Sequence, residues 1–251
     1  MRNSSIISKT GLFATIKQPD GHSRSQTTIG VMKTFLASAM TVMCAWTIGA
    51  QTSDPVAFAA KVQQRYNGIK DLQGDFVQTY EGGVLRTKTT ERGIVAIKRP
   101  GRMRFTYLKP EKKEFVSDGT RLYTHLVADK QVIVSPAPGP DQGDIPAMFL
   151  AGQSDLARDY TPTFTALPGA APGLVTLKLV PKKHSSDYES IGIGVDRQTL
   201  QIQFLTALDT QGGRSSFAFS NLKENRGLAD KDFEFHIPRG VDVVTSGGRA
   251  Q

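Results

Sequence analysis

Cysteine is nearly absent from this chain of 251 residues, and its single cysteine, Cys44, has no second cysteine with which to form an intramolecular disulfide. Histidine is also scarce, and the four histidines form no HExxH or HxH pattern of the kind that binds zinc. The sequence contains neither a G-x-x-x-x-G-K-[ST] phosphate-binding loop nor a G-x-S-x-G nucleophile elbow. We therefore predict a protein that is not an enzyme and that uses no metal and no cofactor.

Long apolar runs are rare as well, and the sequence has one, MKTFLASAMTVMCAWTIGAQ. Lys33 gives this run a positive start, and Gly49 and Ala50 provide the small residues that a signal peptidase needs. The run is too short to span a bilayer comfortably, and a polar chain follows it. We interpret residues 32–50 as a cleaved export signal, which predicts that the mature domain, residues 51–251, is periplasmic.

Residues 1–31 are rich in Ser, Thr and Gln and show no clear periodicity. They are either an over-long start, with Met32 as the true initiator, or a small folded module, and their composition favours the first. Cys44 lies within the apolar run, where the preceding Val42 and Met43 differ from the small residues that precede a lipidated cysteine. The mature protein should therefore have no cysteine and no lipid anchor of its own.

An excess of positive charge is the remaining feature of the composition, with a formal net charge of +8. Cleavage after Ala50 would remove five of the 31 basic residues and one of the 23 acidic residues, leaving 26 and 22 and a net charge of +4. Nucleic-acid binding depends on a strong basic patch, which so mild an excess does not supply. We expect a monomer with no nucleic-acid partner.

The mature domain begins with a pattern typical of a helix. Asp54 suits the N-cap, Pro55 suits the first helical position, and Gly68 can end the helix. The apolar residues between them recur at four-residue spacing: Phe58, Val62 and Tyr66. This single apolar stripe predicts a helix that packs on a sheet.

From residue 73 onward apolar and polar residues alternate, which is typical of antiparallel strands with one buried face. Asp118-Gly119 marks a hairpin turn between two of these strands. The pattern predicts a mainly β (α+β) protein of about ten to eleven strands, forming a barrel or a sheet strongly curved toward one. The apolar positions of the later strands include Leu177, Leu179, Phe204, Phe217 and Phe219.

One segment interrupts the strands between Pro136 and Thr165. It begins with a Pro- and Gly-rich loop, after which Asp144 can cap a short helix that ends at Gly152. The residues of this helix are apolar nearly all round: Ile145, Pro146, Ala147, Met148, Phe149 and Leu150. A helix of that kind must be buried, so we predict that it forms, with the first helix, a lid over the apolar face of the sheet.

The strands on either side of Arg99-Pro100-Gly101 form the clearest alternating pair. Beyond this break, Met103, Phe105 and Tyr107 occupy one face and polar residues the other. Alternation alone does not separate a barrel filled with side chains from a hollow one. The apolar lid favours a hollow barrel, so we predict that these apolar residues line a cavity.

Three stretches of the mature chain resemble the periplasmic carriers of outer-membrane lipoproteins, the LolA family. They are DLQGDFVQTYEGG, then GIVAIKRPGRMRFTYLKPEKKEFVSDGTRLYTH, and then IPAMFLAGQSDL. The second is the most specific, and the resemblance extends from about Asp54 to Val244. It implies an unclosed antiparallel β-barrel with a helical lid over an apolar cavity that holds the acyl chains of triacylated lipoproteins.

The resemblance also implies partners and residue roles. The carrier would receive lipoproteins from an inner-membrane lipoprotein-releasing transporter and deliver them to an outer-membrane lipoprotein receptor. The arginine before the proline, here Arg99, would contact the lid as a latch, and Met103, Phe105 and Tyr107 would line the cavity. This chain departs from the family in a longer Pro/Gly loop at 136–144 and in Met103, where an aromatic residue is expected.

Two other functions fit the same architecture. A periplasmic lipid or glycolipid shuttle would hold a different cargo, and a regulator that senses mislocalised lipoproteins would bind without delivering. The receptor role is disfavoured because it requires a lipidated cysteine. Lipid extracted with the purified protein would distinguish these alternatives.

Overall fold

The computed structural model describes residues 54–82, 87–137, 149–185 and 188–245. The expected export signal and the segment before it lie outside these residues, so the predictions about them stay predictions. Ile145, Pro146 and Met148 of the predicted lid also lie outside the described residues, whereas Phe149 and Leu150 lie within them. No helix among the described residues is both long and apolar enough to cross a membrane.

The described residues form one α-helix, one 3-10 helix and one twelve-stranded sheet. The α-helix, α1, is Pro55–Asn67, and the 3-10 helix is Asp230–Phe233. The strands are β1 (Asp71–Glu81), β2 (Lys88–Lys98), β3 (Arg102–Lys109), β4 (Lys113–Asp118), β5 (Arg121–Leu126), β6 (Gln131–Pro136), β7 (Tyr160–Phe164), β8 (Val175–Pro181), β9 (Tyr188–Val195), β10 (Ile202–Asp209), β11 (Arg214–Glu224) and β12 (Asp242–Thr245).

The strands follow the order β12-β6-β5-β4-β3-β2-β1-β11-β10-β9-β8-β7, so the sheet has two ends and is unclosed. Neighbours are antiparallel except β12, which runs parallel to β6. The predicted mainly β fold with an unclosed sheet and a helix is confirmed. The twelve strands slightly exceed the predicted ten to eleven, and two short ones have no strand pattern in the sequence. β7 lies in the segment interpreted as an interruption and contains Pro162, and β12 has no apolar alternation.

The helix α1 forms where its sequence predicts. The Asp54 carboxylate accepts a hydrogen bond from the Val56 backbone N–H at 2.9 Å, and the chain leaves the helix at Gly68. Phe58, Ala59, Val62 and Tyr66 are its buried residues. The Tyr66 hydroxyl accepts a hydrogen bond from the Ile202 backbone N–H at 2.9 Å, which fixes the end of α1 to β10. The helix therefore covers one face of the sheet.

We call that face, which carries Phe76, Phe105 and Phe217 and packs with α1, the covered face. Its side chains belong to one cluster of buried apolar residues drawn from eight of the twelve strands, β1 to β3 and β7 to β11. The opposite, outer face is partly covered by the chain that follows β11. There Arg104 donates hydrogen bonds to the carbonyl oxygens of Asp232 and Glu234, both at 2.8 Å.

Candidate functional site

The centre of the covered face is a group of aromatic rings. The Phe76 ring lies 5.4 Å from Phe105 and 4.9 Å from Tyr107, both edge-on, and 5.9 Å from Phe217. A Cβ atom on Gly93 would lie 2.8 Å from the Phe76 ring, so the missing side chain of this glycine makes room for the ring. Aromatic pairs in these geometries stabilise the cluster in addition to the free energy that comes from burying their apolar surface.

Seven of the eight residues predicted to line a cavity belong to this one buried cluster. They are Met103, Phe105, Tyr107, Leu177, Leu179, Phe217 and Phe219. None of the seven exposes more than 7% of its surface. In this structure these residues are buried together in one cluster. A ligand bound to this face would therefore have to displace part of the cover.

Phe204 is the eighth residue, and the prediction that it shares this face is wrong. The pairing of β10 with β9 shifts between Ile202 and Phe204, which is a β-bulge. The extra residue inverts the alternation, so Leu205, opposite Phe217, faces the cluster. Phe204 instead lies opposite Ala218 on the outer face and borders a separate pocket of about 200 Å³.

The second part of the cover is the lid segment, which we define as residues 149–156. Phe149, Leu150 and Ala151 are buried, and the Phe149 ring lies 5.4 Å from the Tyr66 ring. The described residues at 149–152 form turns, whereas the sequence predicts the end of a helix there. The segment also contacts α1 further on, because the Leu156 backbone N–H donates to Gln63 Oε1 at 3.0 Å.

Arg99 joins the two parts of the cover to the sheet. Its Nη2 donates to the Phe149 carbonyl oxygen at 3.4 Å, and its Nη1 donates to the Tyr66 carbonyl oxygen. The Gly101 backbone N–H donates to the Ala151 carbonyl oxygen at 2.9 Å, so the chain after Arg99 also holds the lid segment. The family resemblance predicts a contact between Arg99 and the lid, but it does not identify Tyr66 as the second partner.

The signal that could have found Tyr66 is its position in the last turn of α1. Carbonyl groups there have no partner within the helix, and a nearby guanidinium can satisfy them. Burial lowers the pKa of the Arg99 guanidinium from its ordinary value. Burial also raises the pKa of the Tyr66 hydroxyl, so this hydroxyl stays neutral. Arg99 is thus a half-buried cation that donates hydrogen bonds to two carbonyl oxygens.

The far end of the covered face, away from Arg99, is polar. Lys113 Nζ lies 2.8 Å from Glu91 Oε2 and 4.5 Å from the centre of the Tyr107 ring. The Tyr107 hydroxyl donates to Gln78 Oε1, and Gln78 Nε2 donates to Ser215 Oγ at 3.0 Å. The face therefore offers an apolar surface bounded by polar groups at one end and by Arg99 at the other.

This arrangement suits the binding of apolar chains. Among the described residues, no three His, Cys, Asp or Glu side chains are grouped as a metal site would require. The covered face continues onto β5 and β6, where Leu122, Leu126 and Ile133 are only half-buried. The cover is therefore incomplete among the described residues at that end of the sheet.

Comparisons with known proteins agree with this geometry. A family model described as outer membrane lipoprotein carrier protein LolA matches residues 67–236. An outer-membrane lipoprotein carrier protein of Cupriavidus pinatubonensis is 30% identical over 200 residues, which cover 76% of this chain and 90% of that protein. The corresponding protein of Chromobacterium violaceum is 31% identical over 206 residues, covering 81% of this chain and 96% of that protein.

Among solved structures, a LolA superfamily protein from Nitrosomonas europaea is 14% identical, covering 70% of this chain and 97% of that protein, with a TM-score of 0.39. The family assignment rests on the sequence matches, since the family model spans well over half of the chain and the curated relatives are matched over most of their length. These relatives are named as carriers and not as enzymes. The chain therefore belongs to the LolA family of outer membrane lipoprotein carrier proteins.

Proposed function

We propose that this protein is a periplasmic carrier that binds the acyl chains of triacylated lipoproteins against the covered face and delivers them to the outer membrane. The observation that carries the proposal is a sheet face of packed aromatic rings with a cover whose two parts are both bound by Arg99. In this proposal the inner-membrane lipoprotein-releasing transporter supplies the cargo and the outer-membrane lipoprotein receptor takes it up. The names of the curated relatives support the cargo class.

The energetics of such a carrier require exchange rather than simple binding. Each buried CH₂ group contributes about 0.8 kcal/mol, so several long acyl chains would bind almost irreversibly to an empty apolar cavity. The packed covered face avoids this problem, because the apolar cover already occupies the space that the acyl chains need. Phe149 and Leu150 would leave the face when cargo enters and return when it departs. The free energy gained by burying the acyl chains would then be offset by the free energy lost when these two side chains are exposed.

Arg99 would set the balance between the closed and the open cover. Its two hydrogen bonds to the Tyr66 and Phe149 carbonyls exist when both parts of the cover are in place. Each such bond contributes about 1 kcal/mol net, and somewhat more when the donor is charged. A latch of that strength can open for cargo and still favour closure, which would drive the cargo toward the receptor.

The half-buried residues of β5 and β6 support a site of first contact. Leu122, Leu126 and Ile133 lie on the covered face, so an acyl chain could touch them before any part of the cover moves. From there it would reach the aromatic cluster through Phe115, which packs on Tyr107 at 5.5 Å between ring centres. Entry would thus proceed along the sheet toward Arg99.

The experiment that tests this function is to purify the protein from the cell envelope and to identify the co-purifying lipid by mass spectrometry. Triacylated lipopeptide is the expected result. Glycolipid or free phospholipid without lipopeptide would contradict lipoprotein carriage and favour a general lipid shuttle. A protein with no extractable lipid and no affinity for a synthetic triacylated lipopeptide would contradict both.

Depletion of the protein in cells provides the second test. A carrier predicts that lipoproteins accumulate in the inner membrane, because released lipoproteins have no other route. A regulator that only senses lipoproteins predicts unchanged lipoprotein localisation with altered gene expression. Normal localisation after complete depletion would therefore contradict delivery.

A further inference from the structure

A pocket outside the covered face contains a concentration of positive charge. It has a volume of about 650 Å³ and lies at one end of β7, β8 and β9, beside the residues that follow the lid segment. We call it the Tyr160 pocket. Its lining residues are Ser154, Arg158, Asp159, Tyr160, Pro181, Lys182, Lys183, His184, Ser185 and Tyr188.

Cations outnumber carboxylates among the described residues of this lining. Asp159 is the one acidic residue among them, and Arg158 binds both of its oxygens, at 2.7 and 2.8 Å. The Asp155 backbone N–H donates to the same carboxylate at 2.8 Å. Among the described lining residues, the three cations Arg158, Lys182 and Lys183 therefore exceed the one carboxylate by two positive charges.

The lysines retain donors for a ligand. Lys182 Nζ donates to the neutral Ala157 carbonyl oxygen at 3.0 Å, which uses one of its three N–H groups and leaves its charge in place. Lys183 is exposed, and its charge interacts with that of Asp159 without a direct hydrogen bond between them among the described residues. Two ammonium groups on adjacent residues, in a concave site, attract an anion with several acceptor oxygens.

The floor of the pocket is built from two buried tyrosines. Tyr160 and Tyr188 expose 5% and 8% of their surface, and their hydroxyl oxygens lie 3.1 Å apart. One hydroxyl donates to the other, so the second O–H remains able to donate elsewhere. Both rings belong to the apolar cluster of the covered face. The Tyr160 pocket is thus polar on its open side and adjoins the apolar cluster on its inner side.

A positively charged open side and an inner side next to the apolar cluster suit a ligand that is both anionic and apolar. We propose that the Tyr160 pocket binds the phosphate group of a phospholipid, with the apolar part of the lipid directed toward the Tyr160 and Tyr188 rings. The ammonium groups of Lys182 and Lys183 contact the phosphate oxygens, and a tyrosine hydroxyl donates a further hydrogen bond. A free phosphate ion would fill only a small part of about 650 Å³, whereas a lipid headgroup uses the remaining space.

The position of the pocket gives this binding a consequence for the cover. Ser154 and Arg158 line both the Tyr160 pocket and a neighbouring cleft of about 510 Å³ that also contains Arg99 and Gly152. A lipid headgroup in the Tyr160 pocket therefore lies next to the lid segment and its latch. The membrane surface from which cargo is collected is a source of such headgroups. The inference extends the proposed function but does not depend on its cargo.

The test measures binding of dihexanoyl phosphatidylglycerol to the purified protein by calorimetry, at low ionic strength and below the micelle concentration. The Lys182→Gln/Lys183→Gln variant should bind roughly tenfold more weakly, because two charge-assisted hydrogen bonds are lost. The matched control is Lys109→Gln/Lys112→Gln, which removes the same charge at exposed positions outside the pocket and should bind like the parent. Equal weakening in both variants would overturn the proposal.

Two further ligands separate the possible sources of the phosphate. Dihexanoyl glycerol lacks the phosphate and should bind more weakly than phosphatidylglycerol; equal affinity would overturn the phosphate site. Inorganic phosphate should also bind weakly, and an affinity equal to that of the lipid would overturn the assignment to a lipid. Triacylated lipopeptide, measured in parallel, should bind the Lys182→Gln/Lys183→Gln variant normally. Failure of the parent to bind lipopeptide would contradict the proposed function alone.

Discussion

A Cβ atom on Gly152 would lie 2.5 Å from Nε of Arg99, so a side chain at this position would displace the guanidinium. Gly152 also has a φ angle of +81°, which glycine adopts more readily than other residues. Three residues earlier, the Phe149 carbonyl accepts the hydrogen bond from Arg99. The close approach at Gly152 is therefore what brings the lid segment within reach of the latch.

The Gly152→Ala variant should separate the latch from the lid segment. The positive φ angle alone costs an alanine about 1 kcal/mol, and displacement of Arg99 should add a similar loss. The control is Gly173→Ala, because Gly173 has a φ angle of +89° with nothing within 4 Å of its Cβ position. Urea unfolding should show a larger loss of unfolding free energy for Gly152→Ala, and equal losses would contradict a role of the Arg99 contact.

Replacement of the latch should slow delivery, because cargo should be retained more tightly. The Arg99→Leu variant loses hydrogen bonds to the Tyr66 and Phe149 carbonyls, so the closed state loses about 2 kcal/mol relative to the cargo-bound state. Cargo should then be retained roughly thirtyfold more tightly. The measurement is the transfer of a bound lipoprotein to the outer-membrane receptor, with the exposed Arg239→Leu as control. Transfer at the parental rate would contradict the latch.

Two phenylalanines on opposite faces of the sheet provide a test of which face binds cargo. Phe217→Leu and Phe204→Leu each replace a buried ring with a smaller side chain, so both should lower the unfolding free energy by about 1 kcal/mol. Phe217 belongs to the covered face and Phe204 to the outer face. Binding of a fluorescent triacylated lipopeptide should weaken roughly fivefold for Phe217→Leu alone. An equal effect of Phe204→Leu would place cargo elsewhere.

The chain after β11 should be held less firmly in acid. Asp230 lies 2.6 Å from Lys98 Nζ and 3.6 Å from Arg102 Nη2, and the hydrogen bond from Lys98, followed by the charge of Arg102, lowers the pKa of this carboxyl. A lowered pKa means that the contribution to stability is complete above the pKa of the unfolded chain, about 3.9, and is lost as the pH falls through the lower folded value.

The measurement for Asp230 is urea unfolding of the parent and of Asp230→Asn between neutral and acidic pH. The parent should be more stable than the variant above about pH 5, and the difference should vanish in strong acid. Because Asp230 is exposed, about 1 M salt should also reduce the difference at neutral pH. A difference that persists unchanged in strong acid would contradict the ion pair as its source.

Local features of the chain were readable from the sequence because they depend on near neighbours. Asp54 and Pro55 begin α1 as predicted, and the alternation around Met103 and Phe105 places both on the covered face. Sequence alternation failed at Phe204, because a single extra residue in β10 inverts the pattern and nothing in the local composition marks it. It also missed β12, whose pairing with β6 depends on a chain more than 100 residues away.

The sequence by itself determined that this is a β-sheet protein with one apolar face, an N-terminal helix and an arginine at a break between two strands, because hydrophobic periodicity and turn residues act over a few positions. Only the tertiary structure decided which residues bury the apolar face, and that Arg99 meets carbonyls from two distant segments. It also brought Lys182 and Lys183 beside buried tyrosines. These features depend on which segments meet across the sheet. Contacts between residues far apart in the chain produce no periodic pattern in the sequence.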